Sequence, residues 1–269
     1  MRFAVLAFAA GLRDVLSLSG RGAIVAGTRR MGASVVQRLA REGVNLAIVY
    51  RRSRDEAEAL CESIRPFVEH TVLLQADLTI EAEVAHAVTE ARGALGNLSF
   101  CVNLASDYPR TPYETLDSGA WDRGMAAAKG AYLLALHASR AMLTNAGPTR
   151  GHIVFFGDWA AEQTPYHDFL PYLTAKAAVH FMTRAFALEL APAGILVNAI
   201  LPGPTARLSQ VSTEEWDEAL SDTPLHRESE EAEMAEMVAT LLKLETITGE
   251  TIRVDSGRHI VGSGPKDRA

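Results

Sequence analysis

From residue 20 onward, short apolar runs rich in β-branched residues alternate with longer stretches whose apolar positions recur every three or four residues. The short runs "GAIVAG" (22–27), "NLAIVY" (45–50), "TVLLQAD" (71–77), "LSFCVNLA" (98–105), "HIVFFG" (152–157), "ILVNAILPG" (195–203) and "ETIRVD" (250–255) read as strands. Between them, segments such as "GASVVQRLAREG" and "AAVHFMTRAFALELA" carry apolar residues at helical spacing. The second of these is apolar on nearly all sides, which predicts burial against the sheet on one face and against another subunit on the other. Strands alternating with helices imply α/β architecture: a doubly wound parallel seven-stranded sheet with helices on both faces. No linker, repeat or low-complexity segment interrupts the alternation, so one domain is expected over residues 20–262. Residues 1–19 are then an N-terminal extension and 263–269 a C-terminal tail.

Composition narrows the partners. An apolar content of 48% fills a sizeable core in a chain of 269 residues. The net charge of -7 is spread over many short clusters, and no basic patch offers a footprint for nucleic acid or an anionic membrane. A small molecule is the expected partner. Cys61 and Cys101 fall in different elements without metal-ligand spacing, which suits a reducing cytoplasm, and the eight histidines form no metal-ligand pattern. The first residues, "MRFAVLAFAAGL", begin as a secretory signal can, but Arg13 and Asp14 stand where a small-residue cleavage site belongs. No run reaches the roughly 18 apolar residues that span a bilayer.

The first strand runs into "AGTRRMG" (26–32) and then a helix. A tight glycine turn there points backbone amides and the positive end of the helix at a pyrophosphate. Alone this turn is weak evidence; its place after the first strand of an alternating α/β chain, where ligands meet the carboxyl ends of strands, gives it weight. The second strand ends in Tyr50, Arg51, Arg52 and Ser53, with arginines where an acid would accept the 2'-hydroxyl of an NAD ribose. Arginine suits a 2'-phosphate, so the expected cofactor is NADPH/NADP+. Asp77, at the end of the third strand, is placed either to accept from the adenine or to cap the next helix.

These features, with the Tyr172-x-x-x-Lys176 pair after the fifth strand, "NLAS" (103–106) after the fourth, Pro202-Gly203 after the sixth and "RVDSG" (253–257) in the last, resemble the short-chain dehydrogenase/reductase family over residues 16–262. The resemblance implies a Rossmann fold and an oxidoreductase. It places the cofactor on Gly27, Thr28, Arg29, Arg30, Met31 and Gly32, on residues 50–53, on Asp77, Leu78, Asn103, Ala105 and Ser106, and on Tyr172, Lys176, Pro202 and Gly203. Within the family the chain is most similar to the pteridine reductases. "TRRMG" carries Arg30 where that group has an arginine reaching both phosphate and pterin; in "NLASDYPRTP", Tyr108 takes the aromatic position that stacks on the pterin; and Asp158 stands where that group has an aspartate and most of the family a serine. The implied substrate contacts are Arg30, Tyr108, Asp158, Trp159 and Tyr172. The resemblance further implies a homo-oligomer, a tetramer or a dimer, built on the helices at 121–142 and 172–190.

Three departures stand out. Either Ala26 occupies the first glycine position of the motif, or the loop has lost a residue. The helix "WDRGMAAAKGAYLL" carries alanines where the family has an asparagine that holds a proton-relay water, and looks one residue short. Asp158 precedes Tyr172 by one residue more than the family's usual spacing, implying a loop insertion.

Tyr172 and Lys176 lie one helical turn apart, so the ammonium can approach the phenol and lower its pKa toward the working range. Lys176 would also bind the nicotinamide ribose, as the resemblance implies. A serine at 158 could donate to a substrate carbonyl, whereas an ionised aspartate can only accept and would repel a developing oxyanion. A heterocycle with ring N–H or amino groups fits better; the bland alternative is that Asp158 caps the turn "WAAE". The segment around 204–226, with Trp216 on a short helix, is expected to form a mobile substrate lid. The acidic run "ESEEAEMAEM" (228–237) reads as a solvated helix face. The leading expectation is thus NADPH-dependent hydride transfer to a pterin-like or other C=N heterocycle, with catalytic Asp158, Tyr172 and Lys176. The alternatives are a 3-oxoacyl, ketone or alcohol oxidoreductase and a weakly catalytic NADP-binding scaffold.

Overall fold

The computed structural model describes residues 15–163, 165–207 and 211–261. Within these residues seven parallel strands form a single sheet in the order β3-β2-β1-β4-β5-β6-β7. They are β1 (Gly22–Ala26), β2 (Asn45–Tyr50), β3 (Thr71–Gln75), β4 (Phe100–Asn103), β5 (Gly151–Phe156), β6 (Ile195–Pro202) and β7 (Thr251–Val254). Each lies inside an apolar run read as a strand, apart from Gly151, which extends β5 by one residue at its start. The central strands are buried on both faces, which is why their sequences run apolar without alternation. In β1, Ile24 and Ala26 enter one core and Ala23 and Val25 the other.

The helices α1 (Met31–Arg41), α2 (Arg54–Ile64) and α7 (Glu231–Lys243) cover one face. On the other lie α3 (Glu81–Leu95), α4 (Ser118–Met142) and α5 (Leu170–Leu190). A short helix, α6 (Thr213–Ser221), follows β6 and carries Trp216 as expected, with a capping box between Ser212 and Glu215. The strand order reverses between β1 and β4, the switch point at which open α/β sheets bind ligands beyond the carboxyl edge.

Two expectations need correction. Leu16 and Leu18, assigned to the extension, belong to the fold: the Leu16 amide donates to the Lys243 carbonyl at 3.0 Å, and Leu18 is buried in the core. Residues 1–14 of that extension, and the tail at 263–269, lie outside the described residues. The acidic run is more than a solvated face. Met234 and Ala235 are buried, Glu236 binds Arg38, and Glu231 accepts from Ser34, so this stretch docks α7 on α1. Side chains four apart fall on one helix face, and here the apolar face takes the core while the acids take α1.

Candidate active site

The residues singled out by sequence converge on the carboxyl edge of the sheet. Gly27 turns the chain out of β1 at a φ of +82°, and a Cβ there would lie 2.3 Å from the amide nitrogen of Ala105. Ala26 is the last residue of β1, so Gly27 is the glycine of the turn. Gly32 sits so close under this turn that a Cβ would lie 2.0 Å from the Gly27 carbonyl oxygen. α1 therefore begins against bare backbone, and its first residues have no side-chain cap. The amides of Gly32 and Ala33 donate to the Arg29 and Arg30 carbonyls, and the fit to a pyrophosphate rests on the bare glycine turn and the positive end of the helix beside it.

Arg30 precedes α1 with a φ of 53°, a conformation that glycine adopts freely and arginine only at a cost. Its guanidinium donates to the carbonyls of Thr205 and Ala206, and so ties the start of α1 to the loop after β6. Thr28 is nearly buried, Arg29 is exposed, and Met31 packs on the core. Beyond β2, Arg51 faces Asp77 at 3.7 Å and Asp107 at 3.8 Å, while Arg52 is exposed and Ser53 precedes α2. Asp77 does not cap α3, whose cap position is Ile80; its Oδ1 accepts from the amide and hydroxyl of Thr79, closing a local turn. Those bonds, with the arginines' charge, hold the Asp77 carboxyl below its usual range. Leu78 packs on the core, Asn103 Oδ1 accepts from the Ala105 amide, and Ser106 is exposed. Gly203 is pressed against Asp255, where a Cβ would lie 2.6 Å from the Asp255 Cα.

The chemistry gathers between β5 and α5. Asp158 follows β5, is 8% exposed, and uses its two oxygens differently. Oδ1 accepts from the Ala160 amide at 2.9 Å, the turn cap that the sequence allowed. Oδ2 accepts from the Tyr172 hydroxyl at 2.9 Å and from the Tyr166 hydroxyl at 3.3 Å. Capping and facing the site are therefore compatible. Lys176, one turn after Tyr172, donates to the Phe156 carbonyl at 2.8 Å, and its ammonium lies 5.6 Å from the centre of the Tyr172 ring.

This geometry reverses one expectation. Burial, then the charge of Asp158 and the bond to its carboxylate, pushes the Tyr172 phenol well above its ordinary pKa. Lys176 is occupied by the Phe156 carbonyl, whereas the carboxylate is bonded directly to the hydroxyl, so the carboxylate wins. Burial also raises the Asp158 carboxyl, against the hydrogen bonds from Ala160 and Tyr172, and pushes the Lys176 ammonium down to about 8.

Tyr108 stands over this pair. Its ring meets Tyr172 edge-on at 4.9 Å and stacks on Phe169 at 4.3 Å. Phe169 and Tyr166, not singled out by sequence, complete an aromatic wall whose only signal was the run "PYHDFLPY" just before the paired tyrosine and lysine. Trp159 lies along this wall against Tyr166, with the Arg258 guanidinium 4.8 Å from its ring. Where alanines replaced the expected asparagine, a cavity of about 10 Å³ opens between Ala127, Ala131, Asn103 and Lys176, room for about one water.

A family model described as enoyl-(acyl carrier protein) reductase matches residues 25–259. The chain belongs to the short-chain dehydrogenase/reductase family. It is therefore an oxidoreductase of an NAD(P)-dependent group. The 3-oxoacyl-[acyl-carrier-protein] reductase FabG of Staphylococcus epidermidis is 30% identical over 89% of this chain and 99% of its own. A structure of the FolM alternative dihydrofolate reductase 1 from Brucella canis complexed with NADP is 31% identical, with a TM-score of 0.83 over 94% of this chain and all of that one. A short-chain dehydrogenase from Burkholderia cenocepacia in complex with NADP gives 27% identity and a TM-score of 0.84 over 90% of this chain and 99% of its own.

Proposed function

We propose that the protein is an NADPH-dependent reductase of a small pterin-like or related C=N heterocycle. The observation that carries this reading is the buried Asp158 carboxylate with the Tyr172 hydroxyl bonded to it at 2.9 Å. A carbonyl substrate needs donors around its oxygen, and a carboxylate there offers only acceptors. A heterocycle bearing ring N–H or amino groups donates to that carboxylate and lays its flat ring against the wall of Tyr108 and Phe169.

When bound, the nicotinamide would supply a hydride. Gly27 and the start of α1 would hold the pyrophosphate, and Arg51 with Arg52 the 2'-phosphate. Tyr172 donates the proton to the reduced ring nitrogen, while the Asp158 carboxylate accepts from the substrate's N–H groups. Lys176 fixes the strand exit through Phe156 and would offer its charge to the nicotinamide ribose. The relation to an NADP-bound FolM structure supports both the cofactor and the substrate class.

The second reading, a carbonyl reductase, is favoured by the identity with FabG. In it Asp158 serves as the turn cap through Oδ1 and Tyr172 donates to oxygen. NADPH oxidation over a panel of dihydropterins, aldehydes, ketones and 3-oxoacyl thioesters separates the two: turnover of the pterins supports the first reading, and turnover of the thioesters alone replaces it with the second. Cys61 and Cys101 are free, in keeping with a reducing cytoplasm as the site of action.

A further inference from the structure

α5 carries a third polar side chain on the face that holds Tyr172 and Lys176. His180 lies one more turn along, 1% exposed, with its ring directed at the exit of β5. Its Nε2 accepts from the backbone N–H of Asp158 at 3.2 Å. On the opposite side its Nδ1 lies 3.3 Å from Glu162 Oε1, an ion-pair distance without hydrogen-bond alignment. Glu162 is itself held from β7 by Arg253 at 2.9 Å, and Arg184 of α5 lies 3.7 Å away.

The bonding fixes the tautomer. A backbone amide can only donate, so Nε2 carries no proton and the ring hydrogen sits on Nδ1, facing the carboxylate. The fit is close: a Cβ on Gly157 would lie 2.2 Å from Nε2, so the glycine leaves the ring its place. Lys176 and His180 thus grip the strand exit from one helix, the first at the Phe156 carbonyl and the second at the Asp158 amide. The carboxylate that accepts from Tyr172 hangs from the residue so gripped.

We propose that His180, backed by Glu162, is a positioning residue: its neutral imidazole fixes the backbone of Asp158 and, through it, the meeting of carboxylate and Tyr172 phenol. The inference builds on the reading of Asp158 and Tyr172 as the working pair. A doubly protonated ring would set two N–H donors face to face and release Asp158. The charged groups around the ring are Glu162 from the loop, Arg253 from β7, and Lys176 and Arg184 from α5; burial keeps the imidazole neutral against the pull of Glu162.

Two measurements on the full chain test this. In histidine-labelled protein without cofactor, ring-nitrogen NMR at about pH 7.5 should show one histidine, absent in His180→Gln, with bare Nε2 and protonated Nδ1. A protonated Nε2 overturns the proposal, whatever the enzyme turns over. In steady-state NADPH oxidation, His180→Leu should lower kcat about tenfold or more with KM for NADPH within about twofold. His180→Gln, whose Oε1 can accept where Nε2 stands, should keep kcat within about threefold. Equal losses in the two variants, or no loss in either, overturn the positioning role. Absence of turnover in the unsubstituted protein overturns the reductase reading instead, and the ring-nitrogen result then decides His180 alone.

Discussion

Asp158 shows how one side chain serves two ends: one oxygen closes its own turn and the other meets two phenols. The sequence raised both roles as rivals, because spacing alone says nothing of which oxygen goes where. It also misjudged Tyr172, since helical spacing reports that Lys176 is near but not that a carbonyl occupies its ammonium. Arg51 makes a further residue-level case. Its two acidic neighbours lie at 3.7 and 3.8 Å, long enough to leave the guanidinium available to a 2'-phosphate. Arg51→Ala should cost about 1.5–3 kcal/mol in NADPH binding, about a ten- to hundredfold loss, with NADH binding little changed. Calorimetric titration of both cofactors checks this, and equal loss for the two would refute the assignment. Gly27→Ala should lower unfolding stability by about 2 kcal/mol or more, because the turn is left-handed and Ala105 leaves no room. Denaturant unfolding with a change under about half a kcal/mol would show that the loop relaxes freely.

Among the elements, the strands were legible because each is a continuous apolar run, and the structure keeps all of them within or next to the predicted ranges. The helix α5 was legible for its apolar character but not for His180, although Tyr172, Lys176 and His180 follow each other at four-residue steps on one face. The missing information was long-range: Asp158 and Glu162 meet the imidazole only once β5 and α5 pack. The short helix of the segment expected to form a lid was legible, while residues 208–210 lie outside the described residues. At the opposite end of β5, His152 is 1% exposed beside Phe100, and burial lowers its pKa to about 4. Its unfolded-state value is near 6.5, so the unfolded chain binds the extra proton first as pH falls. Stability should therefore be unaffected by this group above pH 6.5 and decline from there toward pH 4, by about 2–3 kcal/mol. Denaturant unfolding of the protein and of His152→Phe at about pH 7.5 and about pH 4.5 isolates the effect. The variant should lose less stability than its parent on acidification, and parallel losses would contradict the assignment.

For the whole molecule, the described surface leaves large apolar side chains of α4 and α5 uncovered: Tyr132, Phe181 and Leu188 are 45%, 66% and 78% exposed. The sheet covers only one side of each helix, so a second copy is the natural cover for the other. Sedimentation should find a dimer or tetramer at micromolar concentration; a monomer there would refute the interface. The proposed chemistry rests on the Asp158 carboxylate, where the family resemblance implies a serine in most members, and the most direct measurement of the account is the exchange of that one group. Asp158→Ser should depress NADPH-dependent reduction of dihydropterins by about two orders of magnitude or more, about 2.7 kcal/mol, while NADPH affinity stays nearly unchanged and any weak turnover of simple ketones rises. Tyr172→Phe, assayed beside it, should abolish both activities. If Asp158→Ser instead leaves every reduction as it was, Asp158 is only the cap of the turn it begins, and the nitrogen-substrate account fails.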